Sequence, residues 1–346
     1  MLALLAIEGG LRLVMGPPPP PVRVLGALQD HDEYLSAQGA YIVANYVEKD
    51  PPVISVESKA PRCAVLGGSS VHDGAATVRT ASEFPALLGE TVGFPVVNLG
   101  SPGLDSFDMV RVVEDMVQWK WSCIVLYGPH NDFGNAFFQA RFGTPLGALG
   151  AHALAFMERF QLFTQVARLV HASGGTRLKD HDRGALAGLD DERFERILRY
   201  LEQNHRRMAW LAEQHGIETI IVSPVGHTLN QPGDPCTSPG CAWPIYKQAM
   251  NNADWNPQKA AQLFREARDA DRVGLRAPTA ATEALHRVAI DTGSVWVDAE
   301  NMVPQHQLVP LPSPLLFTDG VHFTAAGHRA MAEAIAPAVR QAVAGR

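Results

Sequence analysis

Cys63-Ala-Val-Leu-Gly-Gly-Ser-Ser-Val-His-Asp-Gly74 decides the fold. Its apolar run reads as a buried strand, and Gly67 and Gly68 end that strand in a tight bend toward a helix. Glycines there permit φ values other residues avoid, so Ser69 projects its hydroxyl from the strand end. Open parallel α/β sheets gather their sites at the carboxyl ends of strands. Ser69 is therefore a candidate nucleophile whose partners should follow later strands.

The most telling partner sequence is Phe317-Thr-Asp-Gly-Val-His-Phe323, just ahead of the final helix. Of thirteen histidines, only His322 has an aspartate three residues before it. Asp319 could accept the Nδ1 proton while Nε2 faces a nucleophile. Two further strands end in loops that offer hydrogen-bond donors. Pro95-Val-Val-Asn-Leu-Gly-Ser-Pro-Gly103 brings a backbone N–H at Gly103 with no side chain in the way. Cys123-Ile-Val-Leu-Tyr-Gly-Pro-His-Asn-Asp132 brings the side-chain amide of Asn131. A tetrahedral oxyanion needs such fixed donors.

Ser69, Gly103, Asn131 and His322, in this order, resemble the four blocks of the SGNH hydrolases, also called the GDSL esterase/lipase family. The resemblance runs from about Arg62 to the C-terminus, with long insertions. It implies an α/β chain with a flavodoxin-like three-layer α/β/α sandwich, a central mostly parallel five-stranded sheet and helical insertions. It also implies Ser69 as nucleophile, His322 as base and Asp319 as its orienting partner. Gly103, Asn131 and the Ser69 amide would form the oxyanion hole, and no cofactor is required. The sequence departs from the family pattern in three places. Gly68 stands where an aspartate is usual, the glycine closing the first block comes one residue late at Gly74, and Pro129 occupies the glycine position two before Asn131.

Each residue also has a structural reading. A serine in a glycine turn is often a helix cap, and an Asp-x-x-His can be a cap beside a solvated histidine. The joint order of all four blocks favours the catalytic reading. His72 and His130 lack a carboxylate at the triad offset and read as wall residues, with His130 a candidate substrate contact. Asp73 and Asp132 read as turn or helix-start residues.

The 346 residues, 46% hydrophobic, can bury a large core, and the alternating strands and helices read as one catalytic domain over 61–346 with insertions near 133–190 and 229–285. A net charge of −7 without basic runs argues against nucleic acid as a partner. Residues 1–22 read as a partial membrane anchor or signal segment leading into the Pro17–Pro21 spacer, with an amphipathic helix as the alternative. Membrane attachment through the N-terminus and an extracytoplasmic or periplasmic location follow as expectations. Residues 23–60 read as an extension of irregular or edge-strand structure.

Cys63 and Cys123 fall within strands and read as buried thiols, whereas Cys236 and Cys241 are spaced for a local disulfide. No further ligands accompany that pair, so a metal site is not expected. Thr80-Ala-Ser-Glu83 reads as a capping box and Ser106 as the next cap. Asp191–Gly216 reads as a helix stopped by Gly216, 217–224 and 294–298 as the last two strands, and 257–270 as a helix within the second insertion. Residues 133–187 could form a lid or pack on the flank. Thr324 should cap the last helix.

Three functions fit. The first is a serine ester hydrolase acting on a small-molecule, glycan or lipid ester, with O-acetylated cell-envelope carbohydrate as the expected substrate. The second is an O-acyltransferase using the same residues to acylate a glycan hydroxyl. The third is a non-catalytic flavodoxin-like module whose 67–74 loop cradles a phosphate, although that loop lacks a P-loop lysine.

Overall fold

The computed structural model describes residues 2–15, 35–38, 41–44, 53–55, 61–72, 83–134, 153, 157, 160, 162, 190–234, 236–271, 273 and 276–344. Helix α1 (Leu2–Met15) and an antiparallel sheet of β1 (Leu35–Gln38), β2 (Tyr41–Ala44) and β3 (Val53–Ser55) come first. The extension thus forms a three-stranded sheet of its own. No described helix is long and apolar enough to cross a membrane.

The central sheet contains β4 (Cys63–Gly67), β5 (Val96–Asn98), β6 (Cys123–Tyr127), β7 (Glu218–Val222) and β8 (Val295–Val297). Its order is β5-β4-β6-β7-β8, and every pair is parallel. Counting within the sheet this is 2-1-3-4-5, the flavodoxin order, whose switch point lies between β4 and β6. Intervening helices are α2 (Phe84–Val92), α3 (Ser106–Met116), α4 (His130–Gly134) and α5 (Asp191–Gln214). The chain continues through α6 (Ala242–Asn252), α7 (Pro257–Ala270), α8 (Thr279–Thr292), α9 (Ala299–Met302) and α10 (Ala325–Ala344).

Strand alternation sorts the core into two layers. Ala64, Leu66, Ile124, Leu126 and Ile221 face α3, α5 and α8, packing on Met109, Leu201 and Leu285. Val65, Val125, Tyr127, Ile220 and Val222 face α2 and α10, packing on Phe84, Leu88, Met331 and Ile335. Residues on both sides of these strands are buried, which is why β4 and β6 read as unbroken apolar runs rather than alternating ones.

Several local expectations are corrected. Cys63 and Cys123 are register partners on adjacent strands and form a disulfide, not free thiols. Cys236 and Cys241 are also bonded. Glu83 is itself the N-cap of α2 and makes no side-chain cap bond. Instead the Phe84 amide donates to His328 Nδ1 at 3.2 Å, so a side chain from α10 closes that helix end. Asp105, not Ser106, caps α3 by accepting from the Phe107 and Asp108 amides. The second insertion holds α6 and the first half of α8 besides the expected α7, whose cap is Asn256. Thr324 does cap α10, its hydroxyl accepting from the Gly327 amide at 3.2 Å. Pro17–Pro21, Asp73, Gly74 and nearly all of residues 135–189 lie outside the described residues.

Candidate active site

The carboxyl ends of β4, β5 and β6 and the loop before α10 meet at one edge of the sheet. After β4 the chain turns at once, with the Val71 and His72 amides both donating to the Gly68 carbonyl. Ser69 stands at the crest of that turn, partly exposed. Asn98, at the end of β5, holds the turn from outside. Its amide donates to the Val71 carbonyl at 3.2 Å and to Glu83 at 2.6 Å, while its oxygen accepts from the Gly100 amide. Sequence reading missed Asn98 because an asparagine at a strand end is an ordinary turn residue.

His322 Nε2 lies 2.8 Å from Ser69 Oγ, and His322 Nδ1 lies 2.6 Å from Asp319 Oδ2. The other Asp319 oxygen accepts from the Val321 and His322 amides at 2.8 and 2.9 Å. These bonds wrap the loop around the carboxylate, so the Asp-x-x-His spacing itself orients the ring. Partial burial would raise the Asp319 pKa, but the His322 bond and the two amides outweigh it and hold the carboxyl below its ordinary value. With Asp319 accepting the Nδ1 proton, Nε2 is left to accept from the Ser69 hydroxyl.

The two expected donor loops lie beside this chain. Gly103 adopts φ 77°, a left-handed conformation that favours glycine, in the turn closed by Leu104 N–H to the Ser101 carbonyl at 3.1 Å. The Ser101 amide donates to the Gly67 carbonyl, tying this turn to the Ser69 loop. Asn131 lies in the first turn of α4, and its Nδ2 donates to the Leu104 carbonyl at 2.9 Å. The same Nδ2 is so close to Gly68 that a Cβ there would sit 2.1 Å from it.

His130, expected as a candidate substrate contact, is buried. Its Nδ1 accepts from the Ala277 amide at 3.1 Å, and burial pushes its pKa down to about 3. It is a neutral strut between β6 and the start of α8. His72 is likewise buried, as a wall residue should be.

The GDSL-like Lipase/Acylhydrolase family matches residues 65–335 of this chain. The chain belongs to that family. Membership makes the GDSL protein a hydrolase acting on ester bonds and removes the ground for a non-catalytic phosphate-binding module. No curated protein matches it. Among solved structures it is similar to a GDSL-like lipase from Bacteroides thetaiotaomicron at 16% identity and TM-score 0.42, covering 81% of this chain and 88% of that one. It is similar to an extracellular lipase from Streptomyces rimosus at 14% identity and TM-score 0.44, covering 82% and 100%. A variant of an acetyl-xylooligosaccharide esterase from Geobacillus Stearmophilus matches at 15% and 0.41, covering 82% and 94%. Likenesses this distant carry no information about substrate.

The loop after β7 braces the Asp319–His322 loop of this GDSL hydrolase. The His227 amide donates to the Gly320 carbonyl at 2.9 Å, and its ring stacks on Phe317 at 5.5 Å. Buried Arg276 donates to the His227 and Asn230 carbonyls and pairs with Asp271 at 3.1 Å. Asp271 in turn accepts from the Gly233 and Asp234 amides. Burial lowers the Arg276 pKa although Asp271 raises it. An arginine and an aspartate five apart in a loop carry no sequence signal that they will be buried together, so this brace was not foreseen.

Proposed function

We propose that this GDSL hydrolase cleaves short acyl esters by a serine mechanism. Ser69 Oγ attacks the ester carbonyl carbon as its proton passes to His322 Nε2, and Asp319 stabilises the imidazolium. The Ser69 and Gly103 amides and Asn131 Nδ2 hold the oxyanion. Collapse breaks the bond to the alcohol oxygen, which leaves with the proton from His322. Water then attacks the acyl-enzyme, giving its proton to His322, and the free acid and Ser69 are released. The observation that carries this reading is the unbroken chain Ser69–His322–Asp319 at 2.8 and 2.6 Å.

The substrate we propose is an O-acetylated carbohydrate of the cell envelope. Two disulfides among the described residues favour an oxidising compartment, where such esters lie. Helix α1 leaves Leu13 and Val14 at 90% and 86% exposure, which favours attachment of the N-terminus to a membrane surface.

Hydrolysis of p-nitrophenyl esters from acetate to long chains, comparing wild type with Ser69→Ala, tests both halves. Activity confined to short esters and abolished by the substitution is expected. Retained activity in Ser69→Ala would overturn the mechanism. A long-chain preference would overturn the substrate, and transfer to an added glycan without release of free acid would make the protein an O-acyltransferase.

A further inference from the structure

Directly after Asn131 the chain buries a carboxylate that the mechanism above does not use. Asp132 is 1% exposed. Its Oδ2 accepts from the Ser106 amide at 3.2 Å, and its Oδ1 accepts from the Ser106 hydroxyl. That hydroxyl accepts in turn from Asn204 Nδ2 of α5 at 2.8 Å. Asp108 is the nearby acidic group on α3, and its charge disfavours ionisation of Asp132. Burial is the larger effect and raises the Asp132 pKa to about 7, with the Ser106 bonds pulling it back in part.

A buried carboxylate beside another acid is an expensive way to fix a five-residue helix, and apolar packing usually holds such a segment as well. What it achieves here is geometric. Residues 131 and 132 grip opposite ends of one short stretch of chain: Asn131 holds the Leu104 carbonyl and Asp132 holds Ser106. A helix as short as α4 cannot fix its own orientation. Phe133, packed 5.4 Å from the Phe194 ring, sets its depth in the core. His130, bonded to the Ala277 amide, ties the start of α4 to the far side of the site, and the paired grips at Leu104 and Ser106 tie it to the Gly103 side.

We infer that Asp132, with Ser106 and Asn204, is a positioning device that fixes the Asn131 amide relative to the Gly103 turn, so that the two oxyanion donors on different loops are held as one unit. The inference rests on the proposed role of Asn131 as an oxyanion donor.

The test is a double-mutant cycle on kcat between Asp132→Ala and Asn131→Ala, with Ser69→Ala as the blank and thermal melting as the fold control. Asn131→Ala should lower kcat about 10²- to 10³-fold, the usual loss for one donor. Asp132→Ala should lower kcat about 10- to 10²-fold with KM nearly unchanged, and Asp132→Asn, which keeps one acceptor, should lose less. The double variant should be no worse than Asn131→Ala alone. If the two losses multiply, Asp132 acts independently of Asn131 and the inference fails. Should Asp132→Ala not fold, Ser106→Ala takes its place in the cycle with the same two outcomes. Full activity in Asn131→Ala would overturn this inference and the donor assignment together, whereas activity in Ser69→Ala would overturn the serine mechanism itself.

Discussion

The side-chain amide of Asn131 occupies the space a side chain on Gly68 would need, with a Cβ at position 68 falling 2.1 Å from Asn131 Nδ2. Gly68, standing where an aspartate is usual, thus leaves the room that this pose of Asn131 needs. Adding a methyl group at 68 must displace Asn131 and break its 2.9 Å bond to the Leu104 carbonyl. Gly68→Ala is expected to lower kcat by at least 10-fold and up to about 10³-fold, the loss of a whole donor, with little change in KM. Gly68→Asp should be no better. Steady-state kinetics on a short ester decide the matter, and a Gly68→Ala variant as fast as wild type would mean that Asn131 tolerates displacement.

The relationship also marks what could be read from the chain beforehand. Ser69, His322 and Asp319 were legible because each sits where a strand end or a three-residue offset leaves little choice. The sheet was legible because Cys63–Gly67 and Cys123–Tyr127 are apolar on both faces, as strands covered on both sides must be. What was hidden depends on contacts between segments far apart in sequence. Arg276 reaches 49 residues back to His227, and His328 caps a helix 244 residues earlier. No local spacing encodes such meetings. The Cys63–Cys123 bond was hidden for a related reason, since only the parallel register places the two cysteines opposite one another.

Asp319 should matter more for rate than for stability. Its side chain is 54% exposed, so solvent screens its ion pair with His322. Its folded pKa is lowered, so the small stability it contributes is present above its unfolded value and is lost as pH falls through the folded one. Asp319→Asn, with its oxygen kept on the Val321 and His322 amides, turns an NH₂ donor toward Nδ1, reverses the imidazole tautomer and is expected to lower kcat about 10²- to 10⁴-fold with little change in melting temperature. A fall in melting temperature matching the loss of rate would assign Asp319 to folding rather than to the orientation of His322.

The two disulfides should differ in both accessibility and weight. Cys63 and Cys123 are fully buried between β4 and β6, whereas Cys236 and Cys241 lie in a partly exposed loop before α6. Mild reductant on the native protein should free only the second pair, as counted by thiol titration, with the first released only on unfolding. The buried bond closes a separation of 60 residues and the loop bond one of 5. Loop-closure entropy assigns them about 4 and about 2 kcal/mol respectively. Denaturant melts of Cys63→Ala/Cys123→Ala and Cys236→Ala/Cys241→Ala should follow that order. Equal or reversed losses would show that native-state contacts, not chain entropy, set their contributions.

His205 offers a test of acid stability away from the active site. It is fully buried on α5, its Nδ1 bonded to the Leu201 carbonyl at 2.9 Å, and burial lowers its pKa from 6.5 to about 4. Between those values the unfolded chain binds a proton that the folded one refuses. Stability is therefore level with respect to this group above about pH 6.5, falls as pH drops toward 4, and levels off below. His130, lowered to about 3, adds a penalty of the same sign that continues to lower pH. His205→Leu removes the titrating ring while keeping an apolar side chain of similar bulk in the layer formed by Leu201 and Met208. Urea melts at pH 7 and pH 4.5 should show a smaller drop in unfolding free energy for the variant than for wild type. An identical drop would mean that His205 does not govern the acid response and that its ring is protonated in the folded state.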